Sequence, residues 1–175
     1  MIAAFFADNR TRLLATAWIA GLAIAGLLVW VWILRPVFPN TSADLWTAIF
    51  ASAAALVGVE LGTVAAQQTL AYISTKPVES DVARAFYELS LTFSYTSAFA
   101  SAVFTAFVAW AILKRTSLLP RWLSWWAVLL TILALPGSAR GLGLDVLVGG
   151  TTMLWVVAMS VVAFRRLGDV ASDGP

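Results

Sequence analysis

The chain has 175 residues and a net charge of +2, and 61% of its residues are hydrophobic while only 11% are charged. A soluble domain carries roughly 25% charged residues, so this composition excludes an ordinary water-soluble protein and favours a chain surrounded by lipid. Histidine and cysteine are both absent, which excludes disulfides, cysteine-ligated iron–sulfur clusters, histidine-ligated zinc or haem, and nucleophiles that depend on histidine.

Five apolar segments are long enough, or nearly so, to cross the ~30 Å hydrocarbon core of a bilayer, which takes ~20 helical residues. The sequence therefore predicts an all-α fold, a polytopic transmembrane helical bundle of about five spans in a single domain. The fourth segment is the weakest, because only 14 residues precede Pro136 and Gly137, so it must tilt or extend beyond that pair. The predicted spans are about 13–34, 45–73, 85–113, 122–137 and 144–164, followed by a short, frayed polar tail at 165–175.

Basic residues around the last two spans predict the orientation, since short cytoplasmic loops are enriched in Lys and Arg. Five of them flank this hairpin, whereas only Arg140 lies at its tip. The pattern places the loop at 114–121 and the C-terminus in the cytoplasm and the N-terminus outside, although Arg10 and Arg12 oppose it. The flanking residues are Lys114, Arg115, Arg121, Arg165 and Arg166.

Most of the nine tryptophans fall at one end of the predicted bundle. Indole rings favour the boundary between headgroups and hydrocarbon, so this grouping supports five spans. Trp18 and Trp155 are left for the opposite leaflet or the core. The tryptophans at the predicted cytoplasmic end are Trp30, Trp32, Trp46, Trp110, Trp122, Trp125 and Trp126.

The second span carries the best single candidate for a functional site. At ~100° per residue, Glu60, Thr63 and Gln67 share one side of the helix, while Gly58 and Gly62 lie nearly opposite. A helix with one polar and one close-packing side is predicted to be central. An ionisable residue in the membrane is costly and by default indicates a site. Glu60 is therefore predicted either to bind a proton, a cation or a ligand, or to join helices as a neutral, hydrogen-bonded carboxyl group.

The third span offers two further polar sides. A ridge of hydroxyl residues is predicted to pack against other helices, since small residues let helices approach closely in lipid. A separate side carries Glu88 and Tyr95, which could form a wall opposite Glu60. With Arg140 and Asp145 at the same outer end, these residues predict a small polar vestibule that opens outward. The ridge consists of Ser90, Ser94, Ser97, Ser101 and Thr105.

Two stretches of the chain carry a resemblance to known proteins. Residues 3–12 (AAFFADNRTR) stand directly before the first span, and residues 118–125 read LLPRWLSW. The first resembles the extracellular segment before the second helix in a group of uncharacterised bacterial multi-pass proteins, similar to domain-of-unknown-function families found mainly in actinobacteria. The second resembles their LPRW-type cytoplasmic loop, and the Arg165-Arg166 ending fits as well. Members usually have six spans, so the resemblance implies that the first span is missing here, and it implies no activity.

Short loops leave little surface for a catalytic site, and the sequence has no nucleotide-binding loop and no paired mid-membrane aspartates. We expect a non-enzymatic protein of the bacterial inner (plasma) membrane, without a cofactor, that acts as an accessory or interaction subunit or binds a lipid or small apolar ligand. The alternative is a small transporter or channel-like protein that uses Glu60 for proton or cation coupling. A lipid-modifying enzyme that uses Arg140 is a third reading. The expected partners are the lipid bilayer and a homo-oligomer or larger membrane complex, and not nucleic acid.

Overall fold

The computed structural model of the protein describes residues 8–73, 80–114, 118–137 and 145–172. Within these residues the chain forms five α-helices and no β-strand, which confirms the predicted all-α bundle. A short 3-10 turn follows the first helix at Arg35–Val37. The helices are α1 (Arg10–Ile33), α2 (Ala43–Ile73), α3 (Ser80–Leu113), α4 (Arg121–Gly137) and α5 (Asp145–Ser172).

Four of the described helices are long and apolar enough to cross a bilayer, so this is a membrane protein. The exception is α4, which is apolar but has only 17 residues. At ~1.5 Å per residue it is about 25 Å long, somewhat less than the ~30 Å hydrocarbon core. The four apolar helical stretches are Arg10–Ile33, Ala43–Ile73, Asp81–Leu113 and Gly149–Asp169.

Consecutive helices pack against one another in antiparallel pairs. The backbone of α2 at Gly62 approaches the ring of Phe93 on α3 so closely that an added Cβ would lie 3.2 Å from it. The hydroxyl groups of Thr105 on α3 and Thr131 on α4 are joined by a hydrogen bond of 2.9 Å. These two contacts fix the registers of α2 against α3 and of α3 against α4.

The central helix is α3, which corrects the expectation that the second span is central. In its membrane-crossing window 61% of α3 is buried, against 33% of α2. The hydroxyl ridge explains the difference, because its short side chains allow α2 and α4 to approach α3 from two sides. The opposite side of α2 stays exposed at Ala54 and Gly58.

The two ends of the bundle are built differently. The α1–α2 and α3–α4 connections meet at one end, where the backbone N–H of Leu118 donates to the carbonyl of Val37 at 2.8 Å. The main core cluster lies directly beside them and includes Phe38, Ile49 and Phe104. We call this the tryptophan end, because its helix termini carry Trp30, Trp32, Trp46, Trp110, Trp122, Trp125 and Trp126.

The two remaining tryptophans have opposite environments. Trp155 is 0% exposed, and its indole N–H donates to the carbonyl of Leu123 on α4 at 3.0 Å. Trp18 is 69% exposed on the surface of α1. Of the two places left open by the sequence, Trp155 therefore occupies the core.

The last helix extends further than the sequence predicts. A frayed tail was expected from residue 165, but α5 continues to Ser172. Leu167 is partly buried against the main core cluster, and this contact stabilises the last turns. Arg165 and Arg166 stay exposed on the same segment, so the polar residues of the tail are accommodated on the solvent side of a helix.

Candidate functional site at Glu60

Glu60 lies on the inner side of α2. At ~100° per residue, Glu60 and Gln67 fall in the middle of the side that α2 buries, yet Glu60 is only partly buried and Gln67 is exposed. Thr63 belongs to the same side and is buried. Of the three predicted site residues of α2, the structure therefore buries Thr63, leaves Glu60 partly buried and leaves Gln67 exposed. The apolar residues buried around them are Ile49, Ala53, Leu56 and Leu70.

The carboxylate of Glu60 has no hydrogen bond or salt bridge within the described part of the chain. Two of the described cations are engaged at the tryptophan end instead. The guanidinium of Arg35 lies 5.0 Å from the centre of the Trp46 ring, and Nζ of Lys114 lies 4.8 Å from that of Trp110. The charge of Glu60 is therefore not balanced by any described basic residue.

The register of α2 against α3 brings Glu60 to the level of two serines. Gly62 faces Phe93, and Glu60 is two residues, or about 3 Å, nearer to the tryptophan end. Because the helices are antiparallel, the matching level on α3 lies two residues after Phe93, between Ser94 and Ser97. Ser97 is buried and Ser94 is partly buried. Both belong to the hydroxyl ridge that α3 turns inward.

Two hydroxyl groups near this level have oxygen atoms that can accept a further hydrogen bond. Oγ of Ser97 donates its proton to the carbonyl of Ser94 at 2.8 Å, and Oγ1 of Thr63 donates to the carbonyl of Val59 at 3.3 Å. Each hydroxyl has one proton and two lone pairs, so both oxygens keep only lone pairs for a further partner. We call Glu60, Thr63, Ser94 and Ser97 the polar layer.

The described part of the shortest helix, α4, stops short of the level of the polar layer. Thr131 pairs with Thr105, and Gly137, the last residue of α4, lies six residues further along. By the antiparallel register Gly137 reaches the level of Phe99, about 6 Å short of the level of Glu60.

The last helix contributes a buried hydroxyl that has no partner. Thr152 lies three residues before Trp155 on the inner side of α5. Its Oγ1 is buried and makes no hydrogen bond to any described residue. Leaving a buried polar group unsatisfied costs about 1–3 kcal/mol, so a polar partner in the interior would be stabilising there.

The structure does not bring Glu88 and Tyr95 together with Glu60. Both are partly buried on the side of α3 that also carries the exposed Thr92 and Phe99, and each has an interaction partner of its own. The buried residues of α3 near the level of Glu60 belong instead to the serine ridge, because short side chains fit between packed helices. From the sequence alone, Ser97 is predicted only to pack against other helices.

The outer loop of the predicted vestibule cannot be placed beside Glu60. Arg140 lies outside the described residues. Asp145 is the first residue of α5, and its side chain also lies outside the described part of the structure. The vestibule therefore stays a prediction at these two positions, whereas its proposed floor at Glu60 is described.

The sequence matches no protein-family model, and no curated protein or solved structure is significantly similar to it. The resemblance of residues 118–125 to an LPRW-type loop therefore stays a prediction. Among the described residues, no group of three or more His, Cys, Asp or Glu side chains could hold a metal ion. Among the residues of the polar layer Glu60 is the titratable group, and the others are hydroxyl residues. Such an arrangement can hold a proton, a small cation or the donor groups of a ligand.

Proposed function

We propose that this protein is a multi-pass protein of the bacterial inner (plasma) membrane in which all five helices cross the bilayer. Its tryptophan end and its C-terminus face the cytoplasm, and its N-terminus lies outside. Exposed indole rings at one end support this orientation, as do the exposed side chains of Arg121, Arg165 and Arg166 at the same end. Cytoplasmic flanks of membrane helices are enriched in arginine and lysine, and indoles in the adjoining headgroup region.

Single-cysteine variants test this orientation without background labelling, because the chain has no cysteine. Thr11 and Asp169 are exposed near opposite ends of the bundle. We expect Thr11→Cys to react with a membrane-impermeant maleimide in intact cells and Asp169→Cys to react only after permeabilisation. The reverse pattern would invert the bundle, and reaction of both variants from one side would require an even number of crossings.

We further propose that the bundle binds a small ligand at the polar layer and catalyses no reaction. The observation that carries this proposal is the partly buried carboxylate of Glu60 on the inner side of α2, without a partner among the described residues. An unpaired charge in the membrane interior costs a few kcal/mol or more, and a bound ligand or proton removes that cost. No acid or base among the described residues is paired with Glu60, and a titratable group in such surroundings supports binding and not catalysis.

Modification of Glu60 by a hydrophobic carbodiimide tests whether the polar layer is accessible. This reagent attacks carboxyl groups in apolar surroundings, and mass spectrometry of the purified full chain locates the adduct. We expect Glu60 to be modified in preference to Asp44, which is exposed at the tryptophan end. Glu60→Gln should abolish the adduct. If Glu60 in the unaltered chain stays unmodified, the interior is closed and the ligand-binding proposal is wrong.

The outer side of α2 supports a second candidate function, that of an accessory subunit in a homo-oligomer or larger membrane complex. Ala54 and Gly58 are exposed there, and a Cβ added at Gly58 would meet no atom within 4 Å. In lipid, helices associate where small residues let their backbones approach. The variant Gly58→Leu would therefore prevent a partner helix from packing against this side of α2.

A further inference from the structure

We propose that an anionic phospholipid binds in a groove at the tryptophan end, with its phosphate on the guanidinium of Arg35. The groove is formed by the last residues of α1 and the turn that follows them, and its volume is about 510 Å³. Sites for small ligands occupy ~300–1,000 Å³. The groove is separate from the polar layer, so this inference does not depend on the function proposed for Glu60. The lining residues are Trp32, Ile33, Arg35, Pro36 and Pro39.

The charged group of the groove is held in position by two contacts. Nη1 of Arg35 donates to the carbonyl of Phe38 at 2.7 Å, and the guanidinium lies 5.0 Å from the centre of the Trp46 ring. Arginine has five N–H donors in a fixed fork, and these contacts within the described part of the chain use one of them. Arginine binds phosphate through two parallel N–H bonds. The remaining donors of Arg35 therefore suit a phosphate group.

The other walls of the groove are apolar and suit an acyl chain. Trp32 and Ile33 are exposed on α1, and the Trp32 ring packs edge-to-face on Phe50 with a centroid distance of 6.5 Å. Arg35 follows Trp32 by three residues, which places it further from the middle of the apolar span. Indole rings favour the boundary between hydrocarbon and headgroups. A chain beside Trp32 and a phosphate at Arg35 thus follow the order of these layers in a bilayer.

The turn that forms the groove is rigid. Pro36 and Pro39 line it, and the proline ring fixes the backbone angle φ. Val37 and Phe38, which lie between them, are buried in the main core cluster. The carbonyl of Val37 also accepts the 2.8 Å bond from the backbone N–H of Leu118. A site that is already formed loses less conformational entropy when it binds a ligand.

Charge complementarity favours an anionic lipid over a zwitterionic one. Among the described residues of the tryptophan end, basic residues outnumber acidic ones by five to two. Asp44 is exposed there and forms no ion pair with Arg35. Basic groups at a membrane surface attract anionic headgroups, whereas a zwitterionic headgroup brings its own cation into the same positive field. The basic residues are Arg35, Lys114, Arg121, Arg165 and Arg166, and the acidic ones are Asp44 and Asp169.

Two pairs of variants separate the groove from the general charge of this end. Arg35→Ala removes the phosphate ligand. Its matched control, Lys114→Ala, removes the same charge from a residue that also lies over an indole ring, 4.8 Å from the centre of Trp110, but outside the groove. Because Arg35 also supports the turn, the second pair leaves it in place. Ile33→Trp narrows the groove, and Ile19→Trp adds the same side chain at another exposed position of α1.

The test is native mass spectrometry of the purified full chain in mixed micelles, titrated with dioleoyl phosphatidylglycerol or dioleoyl phosphatidylcholine. We expect one phosphatidylglycerol per chain, bound about tenfold more tightly than phosphatidylcholine, as the gain of one charged contact predicts. Arg35→Ala should weaken the binding of phosphatidylglycerol about tenfold for the same reason. Ile33→Trp should weaken it as well, and both control variants should leave it unchanged.

Four results would overturn the proposal. Equal affinity for the two lipids would contradict selection by charge. Equal weakening by Arg35→Ala and Lys114→Ala would show a diffuse attraction to the whole basic end. If Ile33→Trp binds phosphatidylglycerol as tightly as Ile19→Trp does, the lipid does not occupy the groove. If glycerophosphoglycerol, the same headgroup without acyl chains, competes at the concentration of the lipid itself, the ligand is a soluble phosphate ester and not a lipid.

Discussion

Replacing Trp155 by alanine is expected to lower the free energy of unfolding by about 3–5 kcal/mol, the usual range for truncating a buried aromatic side chain. Trp155 is 0% exposed and joins α5 to α4 through its bond to the carbonyl of Leu123. Its removal leaves a large void in the main core cluster and breaks the hydrogen bond that joins α5 to α4. The loss is measured by reversible unfolding of the purified protein in mixed detergent micelles.

Two variants control for the general effect of removing an indole. Trp18→Ala removes the same side chain from a site that is 69% exposed, and we expect its unfolding free energy to stay close to that of the unaltered chain. Trp155→Phe keeps most of the volume and loses the hydrogen bond, which is worth about 0.5–1.5 kcal/mol. Equal losses in Trp18→Ala and Trp155→Ala would contradict the position of Trp155 in the core.

Gly62→Leu is expected to destabilise the bundle by about 1–3 kcal/mol, as overpacking of a close contact usually does. A Cβ at this position would lie 3.2 Å from the ring of Phe93, and the rest of the leucine side chain would force α2 and α3 apart. The loss should appear in the same unfolding measurement. It should be accompanied by faster modification of Glu60, because the polar layer lies next to this contact.

Gly58→Leu is the matched control on the same helix. Nothing lies within 4 Å of a Cβ at Gly58, so we expect the unfolding free energy of the isolated chain to change little. If the chain is an accessory subunit, this variant alone should lose a partner that co-purifies with the unaltered protein. Equal destabilisation by the two glycine variants would show that α2 is rotated relative to the described structure.

The number and order of the helices could be predicted because each span is a long apolar run between polar breaks. The prediction of a central second helix failed, because Ala54 and Gly58 are compatible with lipid as well as with a neighbouring helix. Composition also could not show that α5 remains helical to Ser172. That outcome depends on a packing contact of Leu167 with the core.

The candidate site could be predicted only in part. An isolated acidic residue in a span is conspicuous in the sequence, so Glu60 could be found without a structure. Ser97 could not be distinguished from the other serines of its ridge, because its role depends on the register set by Gly62 and Phe93. Thr152 could not be identified either, since its missing hydrogen-bond partner is a property of the packed bundle.

A buried hydrophobic core lies between the level of Glu60 and the tryptophan end. The core includes Phe104, Leu130 and Trp155, which are at most 2% exposed. The hydroxyl groups of Thr105 and Thr131 are hydrogen-bonded to each other, and that of Thr131 also lies 2.9 Å from the carbonyl of Ala127. An ion would lose most of its hydration water there, and two threonine hydroxyl groups could replace only part of it, which is costly. Among the described residues there is therefore no continuous polar path for an ion between Glu60 and the tryptophan end. Passage through the protein would require a second conformation in which α3 and α4 separate.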